Sequence, residues 1–293
     1  MPTLKINQLS KTYANGVQAL KAVSLEIPTG LFGLLGPNGA GKSTLMRILS
    51  TLQDADSGTV TFEDMDVLTQ KMEVRKIIGY LPQSFGLYPN ISAEVLLNHL
   101  AVLRGWTSRK ERKRIVTHLL DKTNLYADRH KKLGGFSGGM KRRFGIAQAL
   151  LTRPKLLIVD EPTAGLDPSE RNRFHNLLSE LAEETVVILS THIVEDVKEL
   201  CTKMAIIHQG KVLLQDTPIR AMEQLAGKIY QKKIQTTELE DYKSRYTVIA
   251  EKLFLGKPLI QIYSDQPPAN GFTPIPADLE SVYFTTILES SSS

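Results

Sequence analysis

Residues 31–44 read LFGLLGPNGAGKST, and this stretch decides the fold of the chain. It matches the pattern G-x-x-x-x-G-K-[ST] at Gly36, Gly41, Lys42 and Ser43, between an apolar run that predicts a buried strand and a run that can be helical. The glycines let backbone N–H groups converge on phosphate oxygens, and the helix N-terminus adds partial positive charge there. Lys42 is suited to reach the β and γ phosphates, and the Ser43 hydroxyl to hold Mg²⁺. The stretch predicts a nucleoside triphosphate site; the alternative is a glycine-rich turn that binds nothing.

The composition is that of a globular protein with one large domain or two: 293 residues, of which 42% are hydrophobic and 23% charged. The net charge of +5 fits an anionic ligand or membrane surface and is too weak to indicate DNA. The single cysteine, Cys201, excludes an internal disulfide and a Cys-rich zinc site and indicates a reducing compartment. No apolar run is long enough to span a membrane and no signal peptide is visible. We therefore expect a soluble, cytoplasmic product that needs a partner to hold it at a membrane.

A second apolar run, residues 156–159, ends in two carboxylates, Asp160 and Glu161. A strand that is apolar throughout is buried on both faces, as in a parallel sheet. Asp160 can hold Mg²⁺ and its water shell, and Glu161 can accept a proton from an attacking water. Gln83 and His192 follow two other predicted strands, although each taken alone is more simply a polar loop residue or a structural histidine.

Three further segments leave two interpretations open. Residues 3–9 alternate like an edge strand, and Tyr13 after them is either a partly buried sheet aromatic, which its spacing favours, or a ring that stacks on a base. Residues 137–139 precede a helix and form either an anion-binding turn or a flexible one. The last segment is most simply a solvated helix face, with attraction to anionic lipid headgroups as the alternative; it contains Arg109, Lys110, Arg112, Lys113 and Arg114.

The rest of the sequence indicates how the chain is divided into regions rather than what chemistry it performs. Residues 84–150 are mostly helical in pattern. From about residue 218 the character changes to short strands and helices without chemical motifs, which predicts a small α+β appendage.

Taken together and in this order, the motifs resemble those of the ATP-binding subunit of an ABC transporter, over about residues 3–215. GPNGAGKST (36–44) resembles the Walker A loop, FSGGM (136–140) the LSGGQ signature, LLIVDEP (156–162) Walker B and AGLD (164–167) the D-loop. Tyr13 matches the A-loop aromatic, Gln83 the Q-loop glutamine and His192 the switch histidine. The resemblance implies an α/β cassette of the P-loop NTPase class at residues 1–217, with a mixed sheet core, an antiparallel β subdomain and a helical subdomain at about 84–150. The appendage is then residues 218–293.

The resemblance also assigns roles to residues of this chain. It implies ATP and Mg²⁺ as cofactors, and catalysis by Glu161, His192 and Gln83. ATP would contact Tyr13, Gly36, Pro37, Asn38, Gly39, Ala40, Gly41, Lys42, Ser43 and Thr44 of one copy, and Ser137, Gly138 and Gly139 of a second. Mg²⁺ would be held by Ser43, Gln83 and Asp160.

The signature segment departs from the family pattern at Phe136, an apolar exchange, and at Met140, which removes a polar side chain near the partner's nucleotide. The tail DLESVYF (278–284) is similar to that of cassettes that pair with ABC-2 type permeases. The resemblance implies a head-to-tail dimer on an integral membrane permease at the inner face of the membrane, most simply an exporter, with no nucleic acid partner. The alternatives are a non-transport ABC ATPase that acts on the ribosome or nucleic acid, and a scaffold that binds ATP without using it. The resemblance also implies that the cargo is chosen by the permease.

Overall fold

The computed structural model describes residues 2–269 and 271–292. Its strands are β1 (Thr3–Thr12), β2 (Gln18–Pro28), β3 (Gly30–Leu35), β4 (Ser57–Phe62), β5 (Met65–Asp66), β6 (Ile78–Leu81), β7 (Leu156–Asp160), β8 (Val186–Thr191), β9 (Lys203–His208), β10 (Lys211–Asp216), β11 (Ile229–Lys233), β12 (Thr247–Phe254), β13 (Lys257–Tyr263) and β14 (Thr273–Pro274). Its helices are α1 (Lys42–Leu49), α2 (Lys71–Ile77), α3 (Ala93–Leu103), α4 (Arg109–Lys122), α5 (Gly138–Ala149), α6 (Pro168–Leu181), α7 (Val194–Leu200), α8 (Pro218–Gln224), α9 (Leu239–Arg245) and α10 (Leu279–Ser292).

The first sheet is antiparallel, with strand order β2-β1-β4-β5. β1 pairs with β2 on one side and β4 on the other, so the prediction that residues 3–9 form an edge strand is wrong. The alternating pattern reports that one face of a strand is buried, but it does not report whether both edges are paired.

The second sheet is mixed, with strand order β10-β9-β3-β8-β7-β6. All neighbours are parallel except β10, which is antiparallel to β9. Its central strands are apolar throughout because both faces are covered: Leu31 and Leu35 of β3 belong to one hydrophobic core, and Phe32 and Leu34 to another. The predicted mixed sheet and antiparallel subdomain are confirmed.

Three helices, α3, α4 and α5, form the predicted helical subdomain. Their apolar faces meet in the larger core, where Leu97, Leu120 and Phe144 are fully buried. Together with the two sheets, this region gives the predicted α/β cassette.

The C-terminal part adds a third sheet, antiparallel, with strand order β12-β13-β11-β14. It has a small core of its own, built on residues such as Tyr242 and Ile260. Helix α10 instead packs Leu279 and Val282 into the larger core of the cassette. A boundary at 217/218 stays a prediction. Within residues 2–269 and 271–292, no helix combines the length and apolar character needed to cross a membrane.

Candidate active site

The predicted site residues gather at one edge of the second sheet, where parallel strands end. In register, Leu35 of β3 lies beside Thr191 of β8, and Ser190 of β8 beside Asp160 of β7. The loops that follow these strands therefore start next to one another. Because the carboxyl ends of parallel strands meet at one edge, sequence positions more than a hundred residues apart converge there.

The phosphate loop connects β3 to α1, and its glycines are required by close backbone approach. A Cβ on Gly36 would lie 2.3 Å from the carbonyl oxygen of Ile207, and one on Gly41 would lie 2.4 Å from that of Ala19. Gly41 also has φ of +108°, in the left-handed region that other residues avoid. Larger residues would push the loop off β9 and β2 and spoil its curvature.

Glu161 joins the predicted catalytic residues. Its Oε1 lies 3.5 Å from Lys42 Nζ, and its Oε2 accepts a hydrogen bond of 3.0 Å from Gln83 Nε2 and lies 3.2 Å from His192 Nδ1. The residue has φ of +47°, a strained conformation for glutamate, and its N–H donates to the carbonyl of Ser190 at 2.8 Å. The backbone bond and the side-chain partners together hold this carboxylate at the mouth of the loop.

Lys42 is almost wholly buried beneath the loop. Its ammonium donates to the carbonyl oxygens of Gly36 at 2.6 Å and Pro37 at 3.1 Å. Burial lowers the pKa of Lys42, and the nearby Glu161 carboxylate opposes that effect. The cation thus sits where phosphate oxygens would replace carbonyl partners.

Asp160 has the properties of a cation ligand. It is buried, and its Oδ1 has no hydrogen-bond partner among the residues that the structure describes. Burial raises the pKa of the Asp160 carboxyl, and the neighbouring Ser190 and Ser43 hydroxyls oppose this shift only in part. A buried acceptor without a donor is costly in free energy, and a divalent cation held with the Ser43 hydroxyl would remove that cost.

A cleft of about 690 Å³ opens over the loop. Its lining includes most of the predicted nucleotide contacts, namely Tyr13, Pro37, Asn38, Gly39, Gly41, Lys42, Ser43 and Thr44, together with Gln83 and Glu161. Gly36 and Ala40 are buried below it. The Tyr13 hydroxyl lies 3.0 Å from Thr44 Oγ1 and donates to Gln53 Oε1 at 3.3 Å, which places its half-buried ring beside the loop. Sequence reasoning missed other lining residues, among them Gln209 and Gly210, which follow β9 without a chemical pattern.

Residues 137–139 lie elsewhere. None of this described segment lines the cleft of its own chain. Ser137 caps α5 by accepting a hydrogen bond of 3.1 Å from the N–H of Met140, and both Ser137 and Gly138 are exposed. Met140 is half-buried and packs its side chain against the larger core.

Arg142 is a site residue that the sequence did not reveal. It donates to the carbonyl oxygens of Glu161 at 2.9 Å and Ala164 at 3.1 Å, and so ties α5 to the loop after β7. In the sequence it stands between Lys141 and Arg143 and looks like part of a solvated basic run.

Asp196 on α7 is a second such residue, and it is fully buried. Its carboxylate accepts hydrogen bonds from Thr163 Oγ1 at 2.5 Å, Thr191 Oγ1 at 3.3 Å and Arg171 Nε at 2.8 Å, and lies 2.9 Å from His175 Nε2. Thr163 follows Glu161 by two residues and Thr191 precedes His192, so one buried charge links both loops of the site.

Comparison with known proteins places this geometry in a family. Residues 20–164 match the family model described as ABC transporter. The chain is 33% identical over 267 residues to the daunorubicin/doxorubicin resistance ATP-binding protein DrrA of Streptomyces peucetius, covering 90% of this chain and 78% of that protein. It is 34% identical over 229 residues to the Nod factor export ATP-binding protein I of Rhizobium etli, covering 78% and 72%.

Solved structures agree with these sequence matches. The dimeric, post-hydrolysis structure of the ATP-binding cassette MJ0796 with ADP and Pi superposes with a TM-score of 0.67 at 26% identity, covering 73% of this chain and 98% of that one. The chain belongs to the ABC transporter family, as an ATP-binding cassette that hydrolyses ATP.

Proposed function

We propose that two copies of the chain close head to tail around ATP and thereby drive a separate membrane permease. The observation that carries this proposal is the incomplete site: the cleft over the phosphate loop contains no residue of the described segment 136–140. The exposed start of α5, at Ser137 and Gly138, is a helix N-terminus suited to phosphate oxygens. A second copy turned head to tail would supply it, and the similar cassette MJ0796 is dimeric in its post-hydrolysis structure.

In this proposal each residue at the edge of the second sheet has a separate role in ATP hydrolysis. Ser43, Gln83 and Asp160 would hold Mg²⁺, and the bound cation would compensate negative charge on the β and γ phosphates. Lys42 binds the same phosphates, and Glu161 takes a proton from the attacking water. His192, 3.2 Å from Glu161, orients that water against the γ phosphate.

A groove of about 490 Å³ beside Gln83 is the place where we expect the permease to dock. It runs between the sheet edge and the helical subdomain, with Leu52, Arg75 and Arg104 in its lining. Ser43 and Asp160 also belong to its lining. A permease segment bound in the groove would therefore be close to two of the proposed Mg²⁺ ligands. Leu52 is 65% exposed, which suits it to an apolar partner.

The permease should be recovered with the chain from detergent-solubilised membranes of the source cells. The Glu161→Gln variant loaded with ATP is the bait, because it should hold the closed dimer. Leu52→Asp in the groove should abolish recovery of a multi-span membrane protein, whereas Leu255→Asp should not. Leu255 is the matched control because it is also exposed, at 91%, and lies on the C-terminal appendage. Recovery of ribosomes, RNA or DNA in place of a membrane protein would show a non-transport ATPase.

We further propose that the transporter is an exporter of the ABC-2 type. The names of the two relatives, drug resistance and Nod factor export, support this direction, and the DrrA match extends over 90% of the chain. The cassette would hydrolyse ATP at the inner face of the membrane, where ATP is present.

Tyr13 should bind the adenine ring by stacking. Tyr13→Ala is expected to weaken ATP binding about 5-fold or more, because stacking of a base on an aromatic ring contributes about 1–3 kcal/mol. Tyr13→Phe keeps the ring and should stay close to wild type. Equilibrium binding of a fluorescent ATP analogue measures both. An equal loss in the two variants would show that the hydroxyl bond to Thr44, rather than the ring, matters.

A further inference from the structure

The first two turns of α4 carry a cluster of exposed cations on one face: Arg109, Lys110, Lys113 and Arg114. None of the four forms an ion pair within residues 2–269 and 271–292. Arg112, in the same run, is different: it is half-buried and donates to Asn98 Oδ1 at 2.9 Å. We propose that the four exposed cations, the α4 basic face, bind anionic lipid headgroups of the membrane next to the permease.

The α4 basic face works against the stability of its own helix. Arg109 and Lys113, like Lys110 and Arg114, are like charges four residues apart, which repel on a helix surface. Cations in the first turn also oppose the helix dipole. The helix is held instead by the Ser108 cap and by an apolar face that includes Ile115 and Leu119. A role outside the helix explains why the charge is concentrated there.

The position of the face suits a membrane. Helix α3 ends one loop before it, with Val102 44% and Leu103 81% exposed, and the next residue, Arg104, lines the groove beside Gln83. If a permease seats in that groove, as in the proposed function, the loop between α3 and α4, which begins at Arg104, lies next to the membrane protein. This step rests on the proposed function, whereas the charge and exposure of the face do not.

Lipid fits the face better than nucleic acid does. The cations span residues 109–114, under two helical turns, which is short compared with a groove that follows a phosphate backbone. Val102 and Leu103 are exposed at the end of α3, one short loop before the cations in the sequence. They have no partner on a phosphate backbone, whereas apolar side chains close to cations match the boundary between headgroups and acyl chains.

Vesicle sedimentation of the full chain, without a permease, tests the proposal. Wild type should bind vesicles of equimolar phosphatidylglycerol and phosphatidylcholine and not pure phosphatidylcholine, and the binding should weaken as salt is raised. Lys110→Glu/Lys113→Glu/Arg114→Glu should lower vesicle affinity by about 100-fold or more, since each cation near an anionic surface contributes about fivefold. ATP turnover in solution should not change, which shows that the variant is folded.

The control reverses three exposed cations elsewhere: Lys211→Glu/Arg220→Glu/Lys257→Glu. Each reversal removes two charge units, so both triple variants change the net charge from +5 to −1. The control should lose only a few-fold in vesicle affinity. Equal losses of vesicle affinity in both variants would show that only the net charge of the protein matters, and would overturn the proposal. Absence of vesicle binding by wild type, or displacement from vesicles by duplex RNA, would also overturn it. Because no permease is present, these outcomes are independent of the permease-recovery experiment.

Discussion

Glu161→Gln is expected to bind ATP, to lose at least about 100-fold in turnover and to accumulate as an ATP-bound dimer. The amide has the shape of the carboxylate, and its oxygen can still accept a hydrogen bond from Lys42, 3.5 Å from the carboxylate in the wild type. Its nitrogen would replace the Oε2 that accepts from Gln83, so that contact is kept only if the Gln83 amide turns to present its oxygen. The amide at position 161 cannot accept a proton from water. Binding is retained because the phosphate loop is unchanged, while hydrolysis, which would reopen the dimer, fails.

Steady-state phosphate release and size-exclusion chromatography with and without ATP measure the two effects. Glu195→Gln is the matched control, because Glu195 lies on the neighbouring α7 and its ion pair among the described residues is with Lys198, at 3.4 Å on the surface. It should hydrolyse ATP at the wild-type rate and stay monomeric. Wild-type turnover in Glu161→Gln would show that another group activates the water.

The convergence of Glu161, Gln83 and His192 could be predicted because each follows a buried apolar run. Runs of that kind form parallel strands, and the carboxyl ends of parallel strands share one edge. The rule needs only the local pattern, so it holds although Gln83 and Glu161 are 78 residues apart in sequence. The roles assigned to these residues stay predictions until variants are measured.

Arg142 and Asp196 could not be predicted by such a rule. The partners of Arg142 are backbone carbonyls, which leave no trace in residue type, and those of Asp196 come from three separate segments. In the sequence both look like solvated charges on helices. The two-residue strand β14 likewise has no sequence pattern of its own, because its pairing with β11 depends on a loop closure.

Asp196→Ala is expected to lower the free energy of unfolding by about 3 kcal/mol, because removing one partner from a buried charged network leaves the others unsatisfied. Thr163 and Thr191 would lose an acceptor in the interior, Arg171 would lose its countercharge and His175 would lose a hydrogen-bond partner. Urea unfolding, followed by circular dichroism and by fluorescence of Trp106, measures the loss if the two transitions coincide. Glu199→Gln removes the half-exposed second partner of His175 and should cost less than about 1 kcal/mol.

The loss of stability in Asp196→Ala should become smaller as the pH falls. Burial alone would raise the pKa of Asp196, but the hydrogen bonds from His175 and Thr163 and the charge of Arg171 outweigh it and hold the pKa below its usual range. The stabilisation is therefore complete above the ordinary aspartate pKa of about 3.9 and declines as the pH falls toward the lower value in the folded state. The stability difference between wild type and Asp196→Ala should accordingly narrow in acid.

Asp196→Asn removes the negative charge of residue 196 but keeps the shape of its side chain. The amide oxygen can still accept from one threonine, so we expect a smaller loss of stability than with alanine, together with reduced ATP turnover and nearly unchanged ATP affinity. Thr163 and Thr191 lie within two residues of Glu161 and His192, respectively, and both threonines donate hydrogen bonds to Asp196. Weaker hydrogen bonds to residue 196 would leave the Glu161 and His192 side chains less well aligned for catalysis. A fall in ATP affinity without a fall in the turnover rate would mean that Asp196 supports the phosphate loop instead.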